Sequence, residues 1–203
     1  MLPLSLSLGL LVAALSWSPS LETAGTDAVA RHAFVPRAAL PNLAWSELSL
    51  VDADNQSFQL KELRGKILLL DFIFTSCPAT CPTQTAGLAK VWKTLPAKEK
   101  ASIAFVSLTI DPSHDDAAAL RAYRQRFDMG PSPWTFASGS VSHLESIAAY
   151  FGSLMPGRSP LEHKTRLFLM GPQGDLIMNY AASPLDGERL TKELVEAVHL
   201  FIR

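Results

Sequence analysis

The sequence predicts an α/β domain built on a central mixed sheet flanked by helices. Three observations carry that prediction. Lys66-Ile67-Leu68-Leu69-Leu70-Asp71-Phe72-Ile73-Phe74 is a nearly continuous apolar run, as expected of a strand covered on both faces. Ser102 to Ile110 repeats the pattern, and each run is followed by apolar residues at helical spacing. Near the C-terminus, two short runs flank Gly171-Pro172-Gln173-Gly174 and precede an amphipathic stretch.

The elements follow in order. Leu48-Ser49-Leu50-Val51 and Ser57-Phe58-Gln59-Leu60 flank the turn-like Asp52-Ala53-Asp54-Asn55, which predicts a hairpin. Lys66 to Phe74 is the first central strand. The next helix buries Leu88, Val91, Trp92 and Leu95, spaced i, i+3, i+4, i+7. Ser102 to Ile110 is the second central strand, closed by Asp111-Pro112. Ser113 with Asp116 reads as a capping box for a helix carrying Leu120, Tyr123 and Phe127. A shorter helix carries Leu144, Ile147, Ala148 and Phe151, and Gly152 stops it. Arg166 to Met170 and Asp175 to Tyr180 form the second hairpin. The last helix buries Leu190, Leu194, Ala197, Val198 and Phe201. A βαβ unit followed by an antiparallel hairpin and a terminal helix is the thioredoxin-like architecture, here with an added N-terminal hairpin.

The chain has 203 residues, of which 48% are hydrophobic and 18% charged, with net charge −1. That suits one domain with a real core and gives no basic surplus for nucleic acid. Leu2 to Trp17 carries no charged side chain and is short of the roughly 20 apolar residues of a spanning helix. Residues 1–24 therefore read as a signal peptide or short anchor, 25–41 as a linker, and 42–203 as the folded domain. The protein is expected to be exported, to the periplasm or to a membrane facing it, with membrane contact only through an uncleaved N-terminus. Export also implies an oxidising compartment, where Cys77 and Cys81 could pair as a disulfide.

Those are the chain's two cysteines, in Thr75-Ser76-Cys77-Pro78-Ala79-Thr80-Cys81-Pro82. They fall where the first central strand hands over to a helix, whose N-terminus favours thiolate over thiol. A purely structural disulfide there would close a very short loop and stabilise weakly, so the pair reads as reactive. The topology brings a second loop to the same edge, Pro160-Leu161-Glu162-His163-Lys164-Thr165, just before the Arg166 strand. Thioredoxins and their redox relatives usually carry a cis-proline immediately before this strand; here His163 occupies the neighbourhood. Two thiolates and an imidazole form a copper set, above all for Cu(I), which tolerates three ligands. Zinc would usually take a fourth ligand, and no further cysteine is offered. Asp111, at the end of the second central strand, would either orient a ligand or cap the next helix. Trp45, Trp92 and Trp134 read as packing, and His32, His143 and His199 as structural or exposed.

These segments resemble the Sco/SenC family of copper-binding, thioredoxin-fold proteins that help to assemble cytochrome c oxidase. The C-x-x-x-C-P pattern matches Cys77, Cys81 and Pro82, and T-I-D-P matches Thr109, Ile110, Asp111 and Pro112. The family's metal-ligand histidine matches His163. The likeness runs from about Leu48 to the end. It implies copper, as Cu(I) or Cu(II), held by Cys77, Cys81 and His163. It also implies delivery to an exported copper-site protein such as a cytochrome c oxidase subunit. The chain departs from the family at Glu162, where Asp is preferred, and at Lys164, where Ser or Thr is usual. Asn55-Gln56 replaces a common turn glycine, and His114 stands where Arg is frequent. The ligands are untouched, while Lys164 changes the charge beside His163.

A second function uses the same residues. Cys77 and Cys81 could act as the redox pair of a thiol–disulfide oxidoreductase, with a thiol reductant as partner. Peroxidase chemistry fares worse, because Phe74 and Leu70, or Pro78 and Phe74, stand where the peroxiredoxin Thr and Pro would be.

Overall fold

The computed structural model describes residues 49–129 and 134–202. The expected signal or anchor and the linker lie outside the described residues, as do Trp45 and His32. One seven-stranded mixed sheet runs in the order β2-β1-β5-β4-β3-β6-β7. Its strands are β1 (Leu50–Asp52), β2 (Ser57–Phe58), β3 (Ile67–Ile73), β4 (Ile103–Thr109), β5 (Trp134–Gly139), β6 (Arg166–Met170) and β7 (Leu176–Ala181). The helices are α1 (Thr80–Thr94), α2 (Ala97–Lys100), α3 (Ala117–Gln125), α4 (Val141–Tyr150) and α5 (Gly187–Phe201).

β3 and β4 are fully buried along their length and pair in parallel, joined by α1. Their apolar character follows from that double coverage. β6 adds antiparallel to β3, so its first residue lies at the edge where β3 ends. α1 and α5 pack on one another, while α3 and α4 pack against β5. Phe72, Phe151 and Phe168 meet in the core, the last two with ring centroids 4.5 Å apart.

Three readings need correction. Trp134 packs against Phe105 and Phe136 as expected, but it does so from an unexpected strand. It opens β5, a third parallel strand absent from the expected order, which pairs with β4 and receives β1 on its other side. The N-terminal hairpin is thereby part of the main sheet. The helix after β4 is capped by Asp116 alone, whose carboxylate accepts the Ala119 N–H at 2.8 Å; Ser113 plays no part in a capping box. Phe127 lies beyond that helix, which ends at Gln125. The expected stop at Gly152 is present. Gly152 takes φ +64°, its N–H reaches the Ala149 carbonyl, and the Ser153 N–H reaches the Ala148 carbonyl. Those two bonds satisfy the last carbonyls of α4.

Candidate functional site

β3 ends at Ile73 and the chain turns at once. The Cys77 N–H donates to the Phe74 carbonyl at 3.2 Å, closing a turn over Phe74-Thr75-Ser76-Cys77. Helix α1 then starts at Thr80 with Ala79 as its N-cap, so no side-chain oxygen caps it and its first turn holds no acidic residue. Orphan N–H groups at such an end need an acceptor. The Cys77 sulfur supplies one, receiving the Cys81 N–H at 3.4 Å.

This arrangement separates the two thiols. Burial alone would raise Cys77, but hydrogen bonds from the Cys81, Ala79 and Thr80 backbone and from the Cys81 thiol outweigh it and hold Cys77 below the ordinary thiol range. Burial pushes Cys81 well above that range, and the charges of Cys77 and Asp71 push the same way. Both cysteines are free thiols in this structure.

His163 arrives from the other side. Pro160 to Glu162 form a single 3-10 turn capped by Ser159, and the Glu162 carboxylate folds back onto the Ser159 N–H. Glu162 therefore spends its charge shaping the turn that delivers His163. The Lys164 N–H ties the far side of the loop to the Ser153 carbonyl at 2.7 Å. His163 Nδ1 lies 2.9 Å from the Pro160 carbonyl, which fixes the tautomer with its proton on Nδ1. Nε2 is buried and has no hydrogen-bond partner. Burial lowers the imidazole's proton affinity below its usual value, so Nε2 carries a free lone pair at neutral pH.

Phe74 joins the two halves. Its carbonyl holds Cys77, and its ring meets the His163 ring edge-on at 5.6 Å between centroids. The three side chains are nevertheless not drawn into a closed set. Among the described residues no group of three or more His, Cys, Asp or Glu side chains stands ready to hold a metal.

The Asp111 carboxylate pairs with exposed His114 at 2.8 Å rather than capping α3, whose N-cap is Asp116. The carboxylate that reaches the cysteine turn is Asp115. It is 1% exposed and accepts from the Thr75 N–H, the Thr75 hydroxyl and the Thr109 hydroxyl. A second buried carboxylate, Asp71, lies in the middle of β3 against Gln84 and Ser107. Sequence reasoning missed both acidic residues. The available signal for Asp71 was a carboxylate inside an otherwise apolar strand.

The SCO1/SenC family model matches residues 38–199, across the cysteine turn and the His163 loop. The chain belongs to the SCO1/SenC family. It is 30% identical over 132 residues to the SCO1 protein homolog of Bacillus subtilis, covering 63% of this chain and 68% of that protein. The crystal structure of a SCO1/SenC family lipoprotein from Bacillus anthracis superposes with a TM-score of 0.66 at 28% identity, over 74% of this chain and 92% of that one. Yeast Sco1, crystallised with copper bound, superposes with a TM-score of 0.64 at 23% identity, covering 76% and 92%; at that identity it attests the shared fold. The SCO1/SenC fold is the thioredoxin-like one read from the sequence. Asn55, in place of the usual turn glycine, takes φ +61°, a left-handed conformation that Asn tolerates.

Proposed function

We propose that this chain carries copper as cargo, held by Cys77, Cys81 and His163, and hands it to an exported copper-site protein, the cytochrome c oxidase copper centre. The observation that carries this reading is the buried, partnerless Nε2 of His163, on a ring whose other nitrogen is already fixed. A buried lone pair without a partner is costly unless something occupies it. It shares Phe74 with a thiol pair, and soft sulfur with imidazole suits copper. Family membership and the 29% identity to a putative copper-binding protein of Stutzerimonas stutzeri support the same metal.

Each group then has a role. Cys77, the more acidic thiol, binds first as thiolate. Cys81 must shed its proton on loading, so affinity should rise with pH. His163 is neutral at pH 7 and needs no proton displaced. Loading draws the His163 loop onto the thiols. The protein would work outside the cytoplasm, exported or held at the membrane by its N-terminus.

The test is titration of the reduced protein and of His163→Ala with Cu(I) and Cu(II), with metal analysis and circular dichroism. Wild type should bind one copper. The variant should stay folded, keep part of its Cu(I) affinity through two sulfurs, and lose far more for Cu(II), which prefers nitrogen. Unchanged affinity for both ions in a folded variant would remove His163 from the ligand set.

The unequal thiols favour a second reading, a thiol–disulfide oxidoreductase. Cys77 thiolate would attack a partner disulfide, releasing one partner thiol. Cys81 would then attack the Cys77 sulfur, releasing the other and leaving this chain's pair oxidised. Turnover of a disulfide substrate by protein that binds no copper would put this reading first.

A further inference from the structure

Asp115 makes no contact with a ligand atom, yet its hydrogen bonds converge on the turn that presents Cys77. Thr75 is the second residue of that turn, and both its N–H and its hydroxyl are held by Asp115, at 3.0 and 2.5 Å. The same carboxylate takes the Thr109 hydroxyl at the end of β4, at 2.6 Å. Asp115 is itself anchored, because its N–H donates to the Asp111 carbonyl at 2.9 Å. The strand ends it bridges are already joined by the Ile110 N–H on the Ile73 carbonyl. A carboxylate with 1% exposure and three donors is a rigid peg rather than a mobile surface charge.

We propose that Asp115 is a positioning residue for the cysteine site: it fixes Thr75, and through the Thr75 turn it sets where the Cys77 sulfur stands against the N-terminus of α1. The inference rests on the copper reading for its metal readout, and its thiol readout is independent of that reading. The Cys77 sulfur faces the Cys81 N–H at 3.4 Å. That contact depends on the Phe74–Cys77 turn, whose first linking residue Asp115 holds on two atoms. Groups of this kind behind a metal-binding residue typically matter about 10- to 100-fold in affinity.

The experiment compares wild type, Asp115→Ala, Asp115→Asn and Thr75→Val. Three quantities are read on the full chain: the pH midpoint of Cys77 alkylation, amide exchange at Thr75, and Cu(I) affinity by competition. Asp115→Ala should raise the alkylation midpoint, speed exchange at Thr75, and weaken Cu(I) about 10- to 100-fold. Asp115→Asn should rescue most of each, since an amide oxygen can accept from Thr75 N–H and Thr109 while its NH₂ donates to the Thr75 hydroxyl. Thr75→Val should move the readouts in the same direction as Asp115→Ala by less. A folded Asp115→Ala protein that only melts earlier, with wild-type alkylation and copper affinity, overturns the proposal. If Asp115→Ala fails to fold, Thr75→Val decides in its place, and an unchanged alkylation midpoint overturns it. If wild type binds no copper, the copper reading falls while the alkylation arm still judges Asp115.

Discussion

Asp71 is a carboxylate with no cation beside it, sealed inside β3 between the Ser107 hydroxyl and the Gln84 amide, each at 2.5 Å. Burial pushes its pKa up to about 7 from 3.8, against the pull of those two hydrogen bonds. The sign follows directly. A folded pKa above the unfolded one means that the native state binds the proton more tightly. Its contribution to stability is fully present below about pH 3.8, declines as pH rises, and is gone above about 7. The whole span is on the order of 4 kcal/mol. Asp71→Asn should therefore melt higher than wild type at pH 8, and its melting temperature should fall less between pH 5 and pH 8. The swap is geometrically easy. Gln84 Oε1 has no partner, so a flip of that amide lets it accept from the new NH₂. Equal pH dependence in the two proteins would show that Asp71 is not the titrating group. At this scale the ligand candidates were legible because they are rare residue types at recognisable places: two cysteines at a strand–helix junction and a histidine before a returning strand. Asp115 was not. It stands beside Asp111 and Asp116 in one acidic loop, and only a contact 40 residues away in sequence distinguishes it.

α3 shows how the same loop misled at the scale of an element. Ser113 and Asp116 have capping-box spacing, but the chain after β4 first makes a turn, with the His114 and Asp115 N–H groups both on the Asp111 carbonyl. That turn delays the helix until Ala117 and hands the cap to Asp116. Asp116→Ala should then cost about 1 kcal/mol in chemical denaturation, while Ser113→Ala should be nearly neutral. The reverse ranking would restore Ser113 as the cap. The four longer helices and the two central strands were otherwise readable, since each carries a clean period or an unbroken apolar run; the four-residue α2 (Ala97–Lys100) was too short to show one. β5 was hidden for a physical reason. Its six residues Trp134–Gly139 mix large and small side chains, and their burial comes from neighbours on both sides that sequence does not reveal.

The sheet as a whole places its chemistry at the centre and its N-terminal hairpin at one margin. β3 and β4, which carry the cysteine turn and the Asp115 loop, are flanked by β6 and β5, and β1 and β2 lie beyond β5. The hairpin is nonetheless integral. Leu50 is 1% exposed and pairs with Gly139, the Ala53 N–H donates to the Phe136 carbonyl at 2.9 Å, and the Asp54 carboxylate takes both Arg124 nitrogens, at 2.9 and 2.7 Å. The ion pair is largely exposed and contributes little; burial of Leu50 and Phe58 contributes about 1.5–3 kcal/mol each. Two truncations separate these parts. A chain beginning at Pro41 retains every described element and should unfold in urea in one cooperative transition at the full-length midpoint. A chain beginning at Leu60 loses both hairpin strands and should be less stable by about 3–6 kcal/mol, much of a typical domain's total. What remains folded should still show the low alkylation midpoint of Cys77, because the hydrogen bonds that set that thiol join the Thr75 turn, Asp115 and the α1 N-terminus, and none of them uses a hairpin residue. Aggregation of the Pro41 chain, cured by restoring residues 1–40, would mean that the N-terminal stretch belongs to the core. A raised Cys77 midpoint in the folded Leu60 chain would mean instead that the site depends on the whole sheet and not on its own turn.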